Sequence, residues 1–162
     1  MILLKFIFLY PVSVIYGLIV KIRNFLFDNQ IIKSKEFHIP VISVGNITVG
    51  GTGKTPVTEY LVGLLKDKYN VAVLSRGYKR KTKGFIIADK NASAETIGDE
   101  PYQIFLKFPD ITVAVDEKRA RGIENLLNTN KNIEVIILDD AFQHRYVRPS
   151  LSILVIDFTQ GF

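Results

Sequence analysis

An apolar run, Ile39-Pro40-Val41-Ile42-Ser43-Val44, leads into Gly45-Asn46-Ile47-Thr48-Val49-Gly50-Gly51-Thr52-Gly53-Lys54-Thr55-Pro56. A helical pattern with Val57, Tyr60, Leu61, Leu64 and Leu65 on one face follows. Strand, glycine-rich turn, Gly-Lys-Thr and helix, in that order, are the P-loop unit of an α/β sheet. Glycines let the backbone curl until its N–H groups converge on phosphate oxygens. The helix N-terminus adds partial positive charge at the same place. The spacing assigns Thr48, Val49, Gly50, Gly51, Thr52, Gly53, Lys54 and Thr55 to a nucleotide-binding loop. Lys54 would reach the β- and γ-phosphates, and the Thr55 hydroxyl would ligate Mg²⁺. One position departs from the usual pattern: Thr48 stands where a glycine is expected, five residues before Gly53. Gly50 and Gly51 supply flexibility later, so the loop is expected to close with altered geometry. A glycine-rich turn that binds nothing is the alternative, and the agreement of strand, helix, Lys54 and Thr55 weighs against it.

Apolar strands alternate with helical patterns over the rest of the chain. Residues 69–75, 111–115, 133–138 and 151–156 read as strands, and residues 77–88 as two short strands about a Lys83-Gly84 turn. Helices are expected from the P-loop to about Lys68, over 99–108 and over 117–127. The alternation predicts a parallel sheet with helices on both faces. Val135-Ile136-Ile137-Leu138-Asp139-Asp140 is an apolar strand ending in acids. In a P-loop fold that strand lies beside the P-loop strand, and its terminal aspartate holds Mg²⁺ directly or through water.

Other residues carry weaker signals. Gly98-Asp99-Glu100-Pro101 opens a helix. On these residues alone, capping of backbone N–H groups is the better reading of Asp99. The functional one is a carboxylate that orients a substrate hydroxyl towards the γ-phosphate. Arg76, in Ser75-Arg76-Gly77-Tyr78, and Arg119 and Arg121 are candidate phosphate contacts or ordinary surface arginines. Glu100 and His144, the latter in Ala141-Phe142-Gln143-His144, complete the candidate contacts.

The first 27 residues form a separate segment, with residues 28–162 as the P-loop domain. Residues 6–20 carry no charge and are almost all apolar, flanked by Lys5 and by Lys21 and Arg23. A signal peptide lacks support, since no alanine precedes Ala72 to make a cleavage site. As a helix, that stretch spans about 22 Å, short of the roughly 30 Å hydrocarbon core. Pro11 is expected to kink it. A helix embedded in the membrane interface, or dipping partly into it, is favoured, with Lys21, Arg23, Lys33 and Lys35 near anionic headgroups; a span that includes residues 1–5, with Lys5 snorkelling, and a buried core helix are the alternatives. The formal net charge of +5 fits anionic partners such as nucleotide and phospholipid. No basic-aromatic patch carries a nucleic-acid motif, so nucleic acid is not an expected partner. Cysteine is absent, which excludes disulfides and thiolate metal sites. The chain stops just after an apolar strand with no helix to cover it, and it reads as interrupted.

Taken together, Gly45 to Pro56, Leu74-Ser75-Arg76-Gly77-Tyr78, Gly98-Asp99-Glu100-Pro101 and Asp139-Asp140-Ala141-Phe142-Gln143-His144 resemble the tetraacyldisaccharide 4′-kinase family. Thr48 replaces the usual glycine in that family as well. The resemblance implies transfer of the ATP γ-phosphoryl group to the 4′-hydroxyl of a tetraacylated disaccharide 1-phosphate, the lipid A precursor. It implies Mg²⁺ held by Asp139 and Asp140, Asp99 as catalytic base, and the cytoplasmic face of the bacterial inner membrane. Family members continue further, with a portion that closes over the site and supplies a histidine partner for the aspartate. Nothing in these 162 residues matches that histidine by motif, so the resemblance covers the N-terminal part of the family only and leaves activity of this chain alone open. Two rival readings remain: a membrane-associated P-loop ATPase switch and an inactive remnant. Val49 stands where such a switch needs a signature lysine before the paired glycines.

Overall fold

A computed structural model describes residues 2–46, 53–141 and 145–156, with side chains from Tyr10 onward. The chain divides into two compact units, Met1–Ser34 and Lys35–Phe162. The first is built on helix α1 (Ile2–Asp28), which remains helical through Pro11. Tyr10, Val12, Val14, Ile15, Tyr16, Leu18, Ile19, Ile22 and Phe25 are all exposed. The stretch Tyr10–Asp28 is long and apolar enough, by length and composition, to cross a membrane.

The second unit is a six-stranded sheet. Its elements are β1 (Val41–Asn46), α2 (Lys54–Leu65), β2 (Val71–Ser75), β3 (Ile86–Ile87), α3 (Ala94–Ile97), α4 (Asp99–Lys107), β4 (Thr112–Val115), α5 (Arg119–Thr129), β5 (Val135–Leu138) and β6 (Leu151–Val155). The strand order is β3-β4-β2-β5-β1-β6, with every pairing parallel except β3 with β4. β1 lies between β5 and β6, with Ser43 opposite Leu138 on one side and Ser152 on the other. The strand that feeds the P-loop is thus the direct neighbour of the strand that ends in Asp139.

Burial on both faces explains the near-continuous apolar strands. Side chains alternate across the sheet with period two. Ala72, Leu74, Ile136 and Leu138 pack with Ile123 and Leu126 of α5. Val71, Val73, Val135 and Ile137 pack with Val62 of α2 and Ile104 of α4 on the opposite face. Helices therefore flank the sheet on both sides. The parallel strands direct the C-terminal ends of β1, β2, β4 and β5 to one edge, where ligands of open α/β sheets bind.

Two segments differ from the sequence expectation. Residues 77–88 hold one strand, β3, rather than two. Before it, Gly77 and Lys79 take left-handed backbone at φ 70 and 61. Arg80 donates to the Gly84 carbonyl and pairs with Glu117, and the Lys81 amide donates to the Glu95 carbonyl. These partners occupy the groups a second strand would need for a ladder. Helix α3 has no counterpart in the sequence expectation. Ser93 and Thr96 cap each other reciprocally, with the Ser93 amide on Thr96 Oγ1 at 2.8 Å, a short variant of the capping box. Lys35, expected beside headgroups, is paired with Glu124 at 2.6 Å.

Candidate active site

Gly53, at φ 82, supplies the left-handed turn that starts α2; a side chain there would be strained. Lys54 is the first helical residue. Its Nζ donates to Asn46 Oδ1 at 3.0 Å and pairs with Asp140 Oδ1 at 3.0 Å. The end of β1, the head of α2 and the end of β5 therefore converge on one ammonium group. Thr55 follows in the first turn of α2. Thr48, Val49, Gly50, Gly51, Thr52 and His144 lie outside the described residues.

Asp139 is almost fully buried. Thr58 Oγ1 donates to its Oδ1 at 3.1 Å, while Oδ2 is buried without a hydrogen-bond partner among the described residues. Burial pushes the carboxyl up to about 6, and the charges of Glu100 and Asp140 add to it against Thr58 and Arg119. Its amide donates to Leu74 O and that of Ala141 to Val44 O, so the segment is knitted between the ends of β2 and β1. Between them Asp140 takes left-handed backbone at φ 51. The turn leaves its side chain 53% exposed, so that consecutive carboxylates occupy different environments.

A buried carboxylate oxygen with no donor fits a divalent cation or its bound water. Mg²⁺ takes hard oxygen ligands, usually one or two carboxylates with phosphate and water. Thr55, Asp139 and Asp140 offer such a set. Among the described residues no group of three His, Cys, Asp or Glu side chains is placed to hold a metal alone.

The arginines behave differently from expectation. Arg119 is 2% exposed and donates to the carbonyls of Asp116 at 2.7 Å and Asp139 at 3.0 Å. Burial lowers its pKa to about 10, against the opposing pull of Asp139 and Asp140. It ties the start of α5 to the end of β5 and does not reach outward to a phosphate. Arg121 forks onto Asp116 through Nε at 2.9 Å and Nη2 at 2.7 Å. Burial pushes Asp116 up, but the Arg121 bonds and the Lys118 amide more than reverse it, holding the carboxylate below its ordinary range. The Arg121 fork is thus committed within the protein rather than to a ligand. Arg76 remains exposed just past β2.

Asp99 is the first residue of α4, behind Gly98 at φ 95. The N-cap position falls on Gly98, so Asp99 is not the cap residue the sequence suggested; among the described residues its carboxylate stays exposed, bordering an open cavity of about 410 Å³ with Tyr102, Leu106 and Lys107. Two glycines bring this turn to the loop carrying Arg76. A Cβ on Gly98 would lie 3.0 Å from Tyr78 O and 3.1 Å from Gly77 Cα, and one on Gly77 2.9 Å from Ile97 O. Sequence reading missed Asn46, Thr58 and Asp116. Asn46 lay inside the quoted P-loop stretch without being given a role, and Thr58 left a trace by standing one helical turn beyond Lys54.

The family model described as "Tetraacyldisaccharide-1-P 4'-kinase" matches residues 5–162. A tetraacyldisaccharide 4′-kinase of Bacteroides thetaiotaomicron is 59% identical over 155 residues, covering 95% of this chain and 41% of that one. One from Phocaeicola vulgatus is 63% identical over 152 residues, with 93% and 42% covered. This chain spans about two-fifths of the length of these curated relatives. A crystal structure of "apo" form LpxK from Aquifex aeolicus in complex with ATP superposes with a TM-score of 0.81 at 46% identity, covering 90% of this chain and 47% of that one.

Proposed function

The chain belongs to the tetraacyldisaccharide-1-P 4′-kinase family, and on that footing we propose that it carries the ATP-binding and phosphoryl-transfer site of a lipid A 4′-kinase. The observation that supports this most is the convergence of Lys54 on Asp140 at 3.0 Å beside the unpartnered oxygen of buried Asp139. Lys54 and the amides at the head of α2 hold the β- and γ-phosphates. Thr55, Asp139 and Asp140 would hold Mg²⁺, which when bound neutralises charge on the phosphate oxygens. Asp99 orients the acceptor's 4′-hydroxyl and accepts its proton. The hydroxyl oxygen bonds to the γ-phosphorus as the bond to the bridging oxygen of ADP breaks. Arg76, Glu100 and His144 are assigned to the surrounding phosphate or acceptor contacts. Helix α1 docks on the cytoplasmic face of the bacterial inner membrane among phospholipids, where Lys21, Arg23 and Lys33 meet anionic headgroups.

The test follows γ-labelled ATP with and without tetraacyldisaccharide 1-phosphate, alongside binding of a fluorescent ATP analogue. Label is expected in the lipid only when the acceptor is present. In a protein extended to the full length of its relatives, Asp99→Ala should cut kcat by roughly 10²–10⁴-fold while analogue affinity holds. Phosphate release without acceptor would favour an ATPase switch, and analogue binding that Lys54→Ala leaves unchanged would remove the nucleotide site itself.

A further inference from the structure

We propose that Thr58 is a positioning residue for the cation site: its hydroxyl fixes the Asp139 carboxylate through Oδ1, leaving Oδ2 as the oxygen available to Mg²⁺. The inference rests on the kinase reading of this site. Thr58 is one turn along α2 from Lys54 and is fully buried. A helical threonine commonly satisfies its hydroxyl on the carbonyl four residues back. Thr58 instead donates to Asp139 Oδ1 at 3.1 Å, across 81 positions of sequence. Shape does not require a hydroxyl there, since valine has nearly the same volume and Val62 fills the next turn of the same buried face. The bond explains the residue type.

A planar carboxylate anchored at one oxygen cannot rotate without losing that bond. Anchoring Oδ1 therefore fixes Oδ2, the buried atom that has no partner among the described residues. Free rotation would have to be given up when a cation binds, and prior anchoring removes that cost. Hydrogen bonds that orient a ligating group in this way typically change metal affinity by roughly 10–100-fold when removed. Asp140 pairs instead with the Lys54 ammonium, at the end of a long side chain that can swing with it.

The test compares wild type, Thr58→Val and Thr58→Ser for binding of a fluorescent ATP analogue over a Mg²⁺ titration, with Mn²⁺ binding followed by paramagnetic resonance. Thr58→Val should raise the half-saturating Mg²⁺ and Mn²⁺ concentrations roughly ten-fold or more. Analogue affinity without divalent cation should not change, and Thr58→Ser should restore the wild-type values. A role in packing alone predicts no cation-specific effect and no rescue. Should Thr58→Val not fold, Thr58→Ala reads the same quantity. A wild type whose analogue binding ignores Mg²⁺ overturns the kinase reading together with this inference. A wild type that responds to Mg²⁺ beside a Thr58→Val or Thr58→Ala variant with the same half-saturation overturns the positioning role alone.

Discussion

Asp139 keeps a carboxyl group almost out of water, with one oxygen on Thr58 and the other unpartnered among the described residues. Without a cation this arrangement disfavours the ionised form, and burial lifts the pKa from 3.8 to about 6. An acid whose folded pKa is raised binds more protons folded than unfolded between those two values. Stability from this group is therefore greatest below pH 4, falls as pH rises to about 6, and is level above. The total loss is about 3 kcal/mol. Asp139→Asn carries no charge to desolvate. In metal-free buffer it should melt higher than wild type at pH 7, with the advantage shrinking as pH falls towards 4. Thermal melts from pH 4 to 8 check this; a constant difference between the two proteins across that range would show that the charge of Asp139 is not what costs stability. The same residue shows the limit of sequence reading at this scale. The apolar run before it announced a strand-end acid, but Thr58 and Asp139 stand 81 positions apart. No local pattern links them, and only the pairing of β1 with β5 brings α2 to the end of β5.

The junction of β2 with α4 depends on two elements meeting without side chains between them. Gly98 sits at φ 95 with the Tyr78 carbonyl and Gly77 Cα where a Cβ would go. Gly98→Ala meets backbone atoms that cannot swing aside, in a conformation alanine rarely adopts. The substitution should cost about 1–3 kcal/mol and displace Asp99 relative to the loop of Arg76. A drop in melting temperature of several degrees, together with a loss of transfer rate beyond that of a control such as Gly63→Ala, is the expected outcome. A Cβ added at Gly63 would meet nothing within 4 Å, so an equal effect at both positions would remove the argument from close approach. Elements whose signal is burial were legible from sequence to within a few residues. β2, β4 and β5 fall inside the predicted apolar runs because both their faces are covered; the edge strand β6 also falls inside its run, though none of its residues is buried. The stretch 77–84 was not legible, because its order comes from Arg80 on Gly84 and Glu117, partners a strand pattern does not reveal.

At the scale of the whole molecule, α1 and the sheet unit treat their apolar side chains differently. Every residue of the two cores lies at position 37 or beyond, so the sheet unit holds its own apolar interior. α1 instead exposes Val12, Val14, Ile15, Leu18, Ile19, Ile22 and Phe25, a surface that water penalises at about 25 cal/mol per Å². The parallel sheet was legible from the P-loop order and the acidic strand end, and the family from the resemblance carried by Gly45 to Pro56, Leu74 to Tyr78, Gly98 to Pro101 and Asp139 to His144. The medium that covers the apolar side chains of α1 is not part of the chain, so no pattern within the chain names it. Deletion of residues 1–34 should move the protein from the membrane fraction to the soluble fraction while leaving the sheet unit folded, by circular dichroism and by a cooperative melt. Washing intact protein with high salt should release little, because headgroup attraction is screened beyond about 10 Å at 0.1 M salt whereas apolar burial is not. A truncated protein that still sediments with membranes would assign the attachment to the sheet unit. An intact protein released by salt alone would make Lys21, Arg23 and Lys33, rather than the apolar side chains between Tyr10 and Phe25, the groups that hold it there.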